Sequence, residues 1–208
     1  MRVAFFGGTF DPIHRGHLAI ASAAADAFAL DHVLFAPVGR QPLKSEGVIA
    51  SFSDRLAMTT LGVAFTGEPR FTVSSIDAPR CDGTHNFTVD TLEALAREYE
   101  NAALFAVTGA DSFLTLRKWR SASRLLALAE WIVVSRPEFP LTPAFLDRPE
   151  FVPLALTPEQ RERIHLLTDV HEEVSATDLR RRLATGDPCT GLLAPAVASY
   201  IQSHHLYR

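Results

Sequence analysis

With 208 residues, 47% of them hydrophobic and 21% charged, the chain can bury a substantial core and is too apolar to be disordered. A net charge of −4 provides no global positive field, so nucleic acid is not an expected partner. The two cysteines, Cys81 and Cys189, lie far apart, which argues against a disulfide framework or a thiolate zinc site. Residues 1–6 are too few for a signal-peptide core, and no stretch approaches the ~20 apolar residues of a membrane helix, so the expected location is the cytoplasm, away from membranes.

Short apolar runs alternate with longer amphipathic stretches, the pattern of βα units around a parallel sheet. Residues 3–6, 33–36, 71–74, 104–108 and 131–135 read as buried strands, and 16–29, 53–65, 88–99 and 121–129 as helices. Ser53 and Thr88 stand as start signals for the second and third helices. Residues 137–158 carry six prolines and little periodicity, and read as an irregular surface excursion. Beyond them come a strand at 164–168 and helices at 176–184 and 195–204. The expected architecture is α/β: a single doubly wound, Rossmann-like domain over residues 1–208, with a central parallel sheet and a helical C-terminal part.

The first strand runs directly into Gly7-Gly8-Thr9-Phe10-Asp11-Pro12-Ile13-His14-Arg15-Gly16-His17. Ligands of open parallel sheets collect at the carboxyl ends of strands, and this is the first such junction. Glycines there allow close approach of the backbone to an anion and positive φ, and the following helix offers N–H groups and a positive dipole end to phosphate. His14 and His17, three apart, can face one bound group, while Asp11 and Pro12 fit a rigid turn. A plain turn flanked by surface histidines is the competing reading, and a histidine-based metal site lacks a nearby third ligand. Neither the P-loop nor the G-x-G-x-x-G pattern is matched.

Ser175-Ala176-Thr177-Asp178-Leu179-Arg180 reads as a helix start. It fits either a capped surface helix or a phosphate clamp made of hydroxyls and an arginine in the first turn. Gly109-Ala110-Asp111-Ser112 follows a strand, with Trp119 downstream. There a carboxylate can accept from a ribose diol and an aromatic face can stack on a flat ring, or the two can be a helix cap and plain core. Asn86-Phe87-Thr88-Val89-Asp90-Thr91-Leu92, Pro42-Leu43-Lys44 and Ser135-Arg136-Pro137 are the remaining distinctive segments.

The first of these segments resembles the G-G-T-F-D-P-x-H-x-G-H signature of the bacterial nicotinate-mononucleotide adenylyltransferases, within the nucleotidylyltransferase superfamily. The resemblance implies that His14 and His17 stabilise charge developing at the α-phosphate of ATP. It also implies that Gly7, Gly8, Thr9, Phe10 and Gly16 belong to the nucleotide site. The second segment is similar to the superfamily's S-S/A-T-x-I/L-R, implying that Ser175, Thr177 and Arg180 hold the β- and γ-phosphates; Arg181 and Arg182 are not carried over. By the same resemblance Asp111 contacts the adenosine ribose, while Trp119, Thr88 and Arg136 serve the acceptor, nicotinate mononucleotide. The chain departs from the family where Asn86 and Phe87 replace Ser and Tyr, where Leu43 replaces a histidine beside Lys44, and where Ser135 replaces the first arginine of R-R-P.

No side chain among these is a covalent nucleophile beside an orienting base, which favours direct in-line attack on the α-phosphorus. Mg²⁺ is expected to be held mainly by the ATP phosphates, with no dedicated metal ligands from the chain. Two rivals stand beside this reading. One is a sister transferase taking nicotinamide mononucleotide, phosphopantetheine or a riboflavin phosphate. The other is a non-catalytic nucleotide-binding regulator, which would have no need of a charge-stabilising histidine pair. Oligomeric state, a homo-oligomer included, does not follow from the sequence.

Overall fold

Strand β1 (Arg2–Gly8) alternates its side chains between two apolar layers: Val3 and Phe5 point to one, Ala4 and Phe6 to the other. Burial on both faces requires a central strand with cover above and below. In the computed structural model, which describes residues 1–41, 48–135, 141–168, 170 and 174–208, β1 holds that place. Around it lie β2 (His32–Pro37), β3 (Phe71–Val73), β4 (Ala103–Gly109), β5 (Glu130–Val134) and β6 (Ile164–Leu167). The strands form one parallel sheet in the order β3-β2-β1-β4-β5-β6, so the winding reverses between β1 and β4. That reversal opens a crevice at the carboxyl ends of those two strands.

Helices α1 (Arg15–Ala27), α2 (Phe52–Thr66), α3 (Thr88–Glu98), α4 (Ala110–Phe113), α5 (Ala122–Leu128), α6 (Pro158–Glu162), α7 (Ala176–Ala184) and α8 (Pro195–Ser203) complete the pattern. Ala21, Met58, Leu179 and Val197, from α1, α2, α7 and α8, pack with Ala4 and Phe6. On the opposite face Leu92, Leu95 and Leu125, from α3 and α5, pack with Val3, Phe5 and Trp131. Among the described residues no helix is long and apolar enough to cross a membrane.

Two start signals shift. Ser51, not Ser53, caps α2, its Oγ accepting the Asp54 N–H at 3.1 Å. Thr88 is the first helical residue of α3, and Phe87 occupies the cap position. The proline-rich stretch is also more than a surface excursion. Its described part forms two 3-10 turns, Pro143–Asp147 and Pro149–Leu154, that bury Phe145 and Phe151 against Phe113. Proline opens each turn, where its missing N–H costs no hydrogen bond. Two aromatic side chains thereby seal the edge of the second core.

Candidate active site

The crevice has a volume of roughly 570 Å³ and runs from the end of β1 to the end of β4, with the amino ends of α1, α3 and α7 on its walls. That size suits a nucleotide-scale ligand, and helix amino ends give it a positive lining for phosphates.

At the end of β1 the two glycines are demanded by aromatic neighbours. A methyl group on Gly7 would lie 2.5 Å from the Phe5 ring, and one on Gly8 2.9 Å from the Phe10 ring. The positive φ expected of the glycines falls instead on Phe10, at 47°. Its buried ring packs edge-on against Phe6 and His17, at 5.5 and 5.0 Å between centroids, so the turn is pinned by a side chain facing the core.

His14 is the cap residue of α1 and His17 its third residue, and their ring centroids lie 3.8 Å apart with the planes tilted by 30°. The His14 backbone N–H donates to His17 Nδ1 across a long 3.4 Å. His14 is buried, His17 half-buried, and both line the crevice. Gly16 sits between them, buried in the first turn of α1 and outside the crevice lining.

Across the crevice the Ser175 hydroxyl caps α7, accepting the Asp178 N–H at 3.1 Å. Arg180 reaches back along the helix. Its Nη1 donates to the Asp11 carbonyl at 2.8 Å and lies 4.0 Å from the Asp11 carboxylate, while Nη2 donates to Thr177 Oγ1 at 3.3 Å. Arg181 and Arg182 are held elsewhere, by Asp178 at 2.6 Å and Asp187 at 2.8 Å.

The other half of the crevice is aromatic. Trp119 packs edge-on against Trp131 at 5.8 Å, and its indole N–H donates to Thr115 Oγ1 at 2.9 Å. The polar edge is thus committed, leaving ring surface for the crevice. Thr88, at the amino end of α3, and Asp111, in the short α4 after β4, line it as well. The Arg120 guanidinium lies over the Phe87 ring at 4.7 Å. Twelve predicted site residues therefore converge: Gly7, Gly8, Thr9, Phe10, His14, His17, Thr88, Asp111, Trp119, Ser175, Thr177 and Arg180. Arg136 and Lys44 lie outside the described residues.

A sequence model of the cytidylyltransferase-like family matches residues 5–182. A "probable nicotinate-nucleotide adenylyltransferase" from Streptomyces coelicolor is 41% identical over 202 residues, covering 97% of this chain and 98% of the relative. One of the same name from Leifsonia xyli is 40% identical over 207 residues, covering 100% and 94%. The chain belongs to the nicotinate-nucleotide adenylyltransferase family. In three dimensions it is similar to the Plasmodium falciparum nicotinic acid mononucleotide adenylyltransferase complexed with NaAD, with a TM-score of 0.75 over 99% of this chain and 97% of the other. At 16% identity that likeness speaks to the fold alone.

Against this family background the departure at Asn86 has a structural account. Asn86 is a buried strut: its Oδ1 accepts the Arg40 N–H and its Nδ2 donates to the Ala78 carbonyl, each at 2.9 Å. It thereby ties the loop after β2 to the segment leading into α3. Asp77, whose carboxyl is pushed up by burial, accepts the Thr91 hydroxyl at 2.7 Å in the same junction. Sequence reading marked Asn86 only as a departure and missed Asp77, because both act across loops with no periodicity to betray them.

Proposed function

We propose that the chain transfers the adenylyl group of ATP to nicotinate mononucleotide, giving nicotinate adenine dinucleotide and pyrophosphate. The observation that carries this reading is the close His14–His17 pair facing Arg180 across one crevice, in a chain about 40% identical over its whole length to relatives named for this reaction. An acceptor phosphate oxygen attacks the α-phosphorus in line. As that P–O bond forms, the bond to the bridging oxygen breaks and its electron pair leaves with pyrophosphate. No proton need move, so the work of the chain is positioning and charge stabilisation.

In this reading the His17 and His14 rings meet the charge building around the α-phosphate. Arg180, Ser175 and Thr177 hold the departing phosphates, with Gly7, Gly8, Thr9 and Phe10 shaping the floor and Gly16 packed behind it in the first turn of α1. Asp111 accepts from the adenosine ribose, Trp119 stacks on the nicotinate ring, and Thr88 and Arg136 serve the acceptor. Among the described residues no group of three His, Cys, Asp or Glu side chains could hold a metal ion. Mg²⁺ is proposed to enter with the triphosphate, coordinated mainly by its oxygens and water.

Pyrophosphate release from ATP and nicotinate mononucleotide tests the reaction directly. Release with phosphopantetheine or riboflavin phosphate in place of the nicotinate substrate would favour a sister transferase. Binding of ATP without turnover on any acceptor would favour a regulator. Within the same assay Arg180→Lys is expected to lower kcat/KM for ATP by about tenfold or more. The reason is that a planar fork held by Asp11 and Thr177 cannot be copied by a point charge, and a charged hydrogen bond is worth roughly 1.5 kcal/mol or more. Wild-type kinetics for Arg180→Lys beside a crippled Arg181→Ala would put the clamp on the wrong arginine.

A further inference from the structure

The Asp11 carboxylate, 1% exposed, belongs to the turn after β1 at the crevice wall and is turned into the protein. Its Oδ2 accepts the Ile49 N–H at 2.8 Å, and its Oδ1 accepts the Ala50 N–H at 3.2 Å and the Tyr207 hydroxyl at 2.6 Å. The carbonyl of the same residue receives Arg180 Nη1, with the carboxylate 4.0 Å from that guanidinium. Beside it Arg55, equally buried, donates to the Thr9 and Ala50 carbonyls at 2.7 and 3.3 Å. One buried hub therefore joins the histidine turn, the start of α2, the clamp of α7 and the end of the chain.

Tyr207 is bent into this hub. Its backbone φ is 62°, a left-handed conformation that a bulky residue adopts only when its surroundings impose it. Burial and the adjacent carboxylate push its phenol far above the ordinary range, so it stays a donor at every working pH.

We propose that Tyr207 is a positioning residue for adenylyl transfer: its hydroxyl fixes the Asp11 carboxylate, and Asp11 in turn sets Arg180 and the Gly7-to-His17 turn in register across the crevice. The proposal rests on the function read above. It also gives the last residues of the chain a task at a site more than 190 positions away in sequence.

Tyr207→Phe keeps the ring and removes the one hydrogen bond. Leaving a buried carboxylate short of a donor is expected to lower kcat about three- to tenfold, while KM for nicotinate mononucleotide stays at its wild-type value. The decisive readout is a double-mutant cycle: in an Arg180→Lys background the same substitution should have little further effect, because both act through one clamp. A Tyr207→Phe enzyme with wild-type kcat, one that merely melts below the assay temperature, or one showing its full effect with Arg180→Lys present would each overturn the proposal. Failure of the wild-type enzyme to release pyrophosphate would instead overturn the underlying reading of function, so the two failures are distinguishable.

Discussion

His17→Ala is expected to lower kcat by ~10²–10³-fold while ATP affinity changes only a few-fold, because a donor aimed at developing charge acts chiefly in the transition state. The geometry makes His17 the sharper probe of the pair. Its Nδ1 lies 3.4 Å from the His14 backbone N–H, and its ring is half-buried at the crevice wall. His14 is buried and is also the cap residue of α1, so His14→Ala should lose similar turnover and some stability as well. Single-turnover measurements with saturating nicotinate mononucleotide, alongside equilibrium titration of ATP, separate the two quantities. A His17→Ala enzyme with intact kcat and ATP affinity reduced by the whole factor would show that the histidines hold only the ground state.

Much of this arrangement was legible before any coordinates, for reasons that differ between its parts. The inner strands β1, β2, β4 and β5 announce themselves because a parallel sheet covered on both faces needs long apolar runs, whereas the edge strands β3 and β6 are short and interrupted by Thr72 and His165. The crevice-lining residues of the Gly7-to-His17 segment were legible because they are close in sequence: glycines, histidines and a helix start lie within one short stretch of chain. Asp11 reads as a turn former and does lie in that turn, but its carboxylate's partners Ala50, Arg180 and Tyr207 are distant in sequence and only the fold assembles them. Asn86 looked like a broken contact and is a strut between two loops. The α6 helix was readable and overlooked: Thr157 and Gln160 form a reciprocal capping box around Pro158, a pattern the proline-rich surroundings concealed.

Nicotinate mononucleotide is expected to be preferred over its nicotinamide counterpart by as much as ~10⁴-fold in kcat/KM, since a site built to pair one polar group leaves the wrong one unpaired. The crevice near α3 offers donors. Thr88 brings a hydroxyl to the first turn of the helix, where backbone N–H groups and the positive dipole end also favour a carboxylate. Arg120, over the Phe87 ring, adds a cation at the same wall. The amide NH₂ of the nicotinamide form would meet these donors with a donor of its own. Asn86, the departure from the family pattern, does not alter this balance, because its amide is already committed to Arg40 and Ala78. Thr88→Val should therefore narrow the ratio between the two acceptors. Trp119→Ala should weaken both alike, because ring stacking does not distinguish acid from amide. Comparable kcat/KM for the two acceptors in the wild-type enzyme would overturn the argument and mark a dual-specificity transferase.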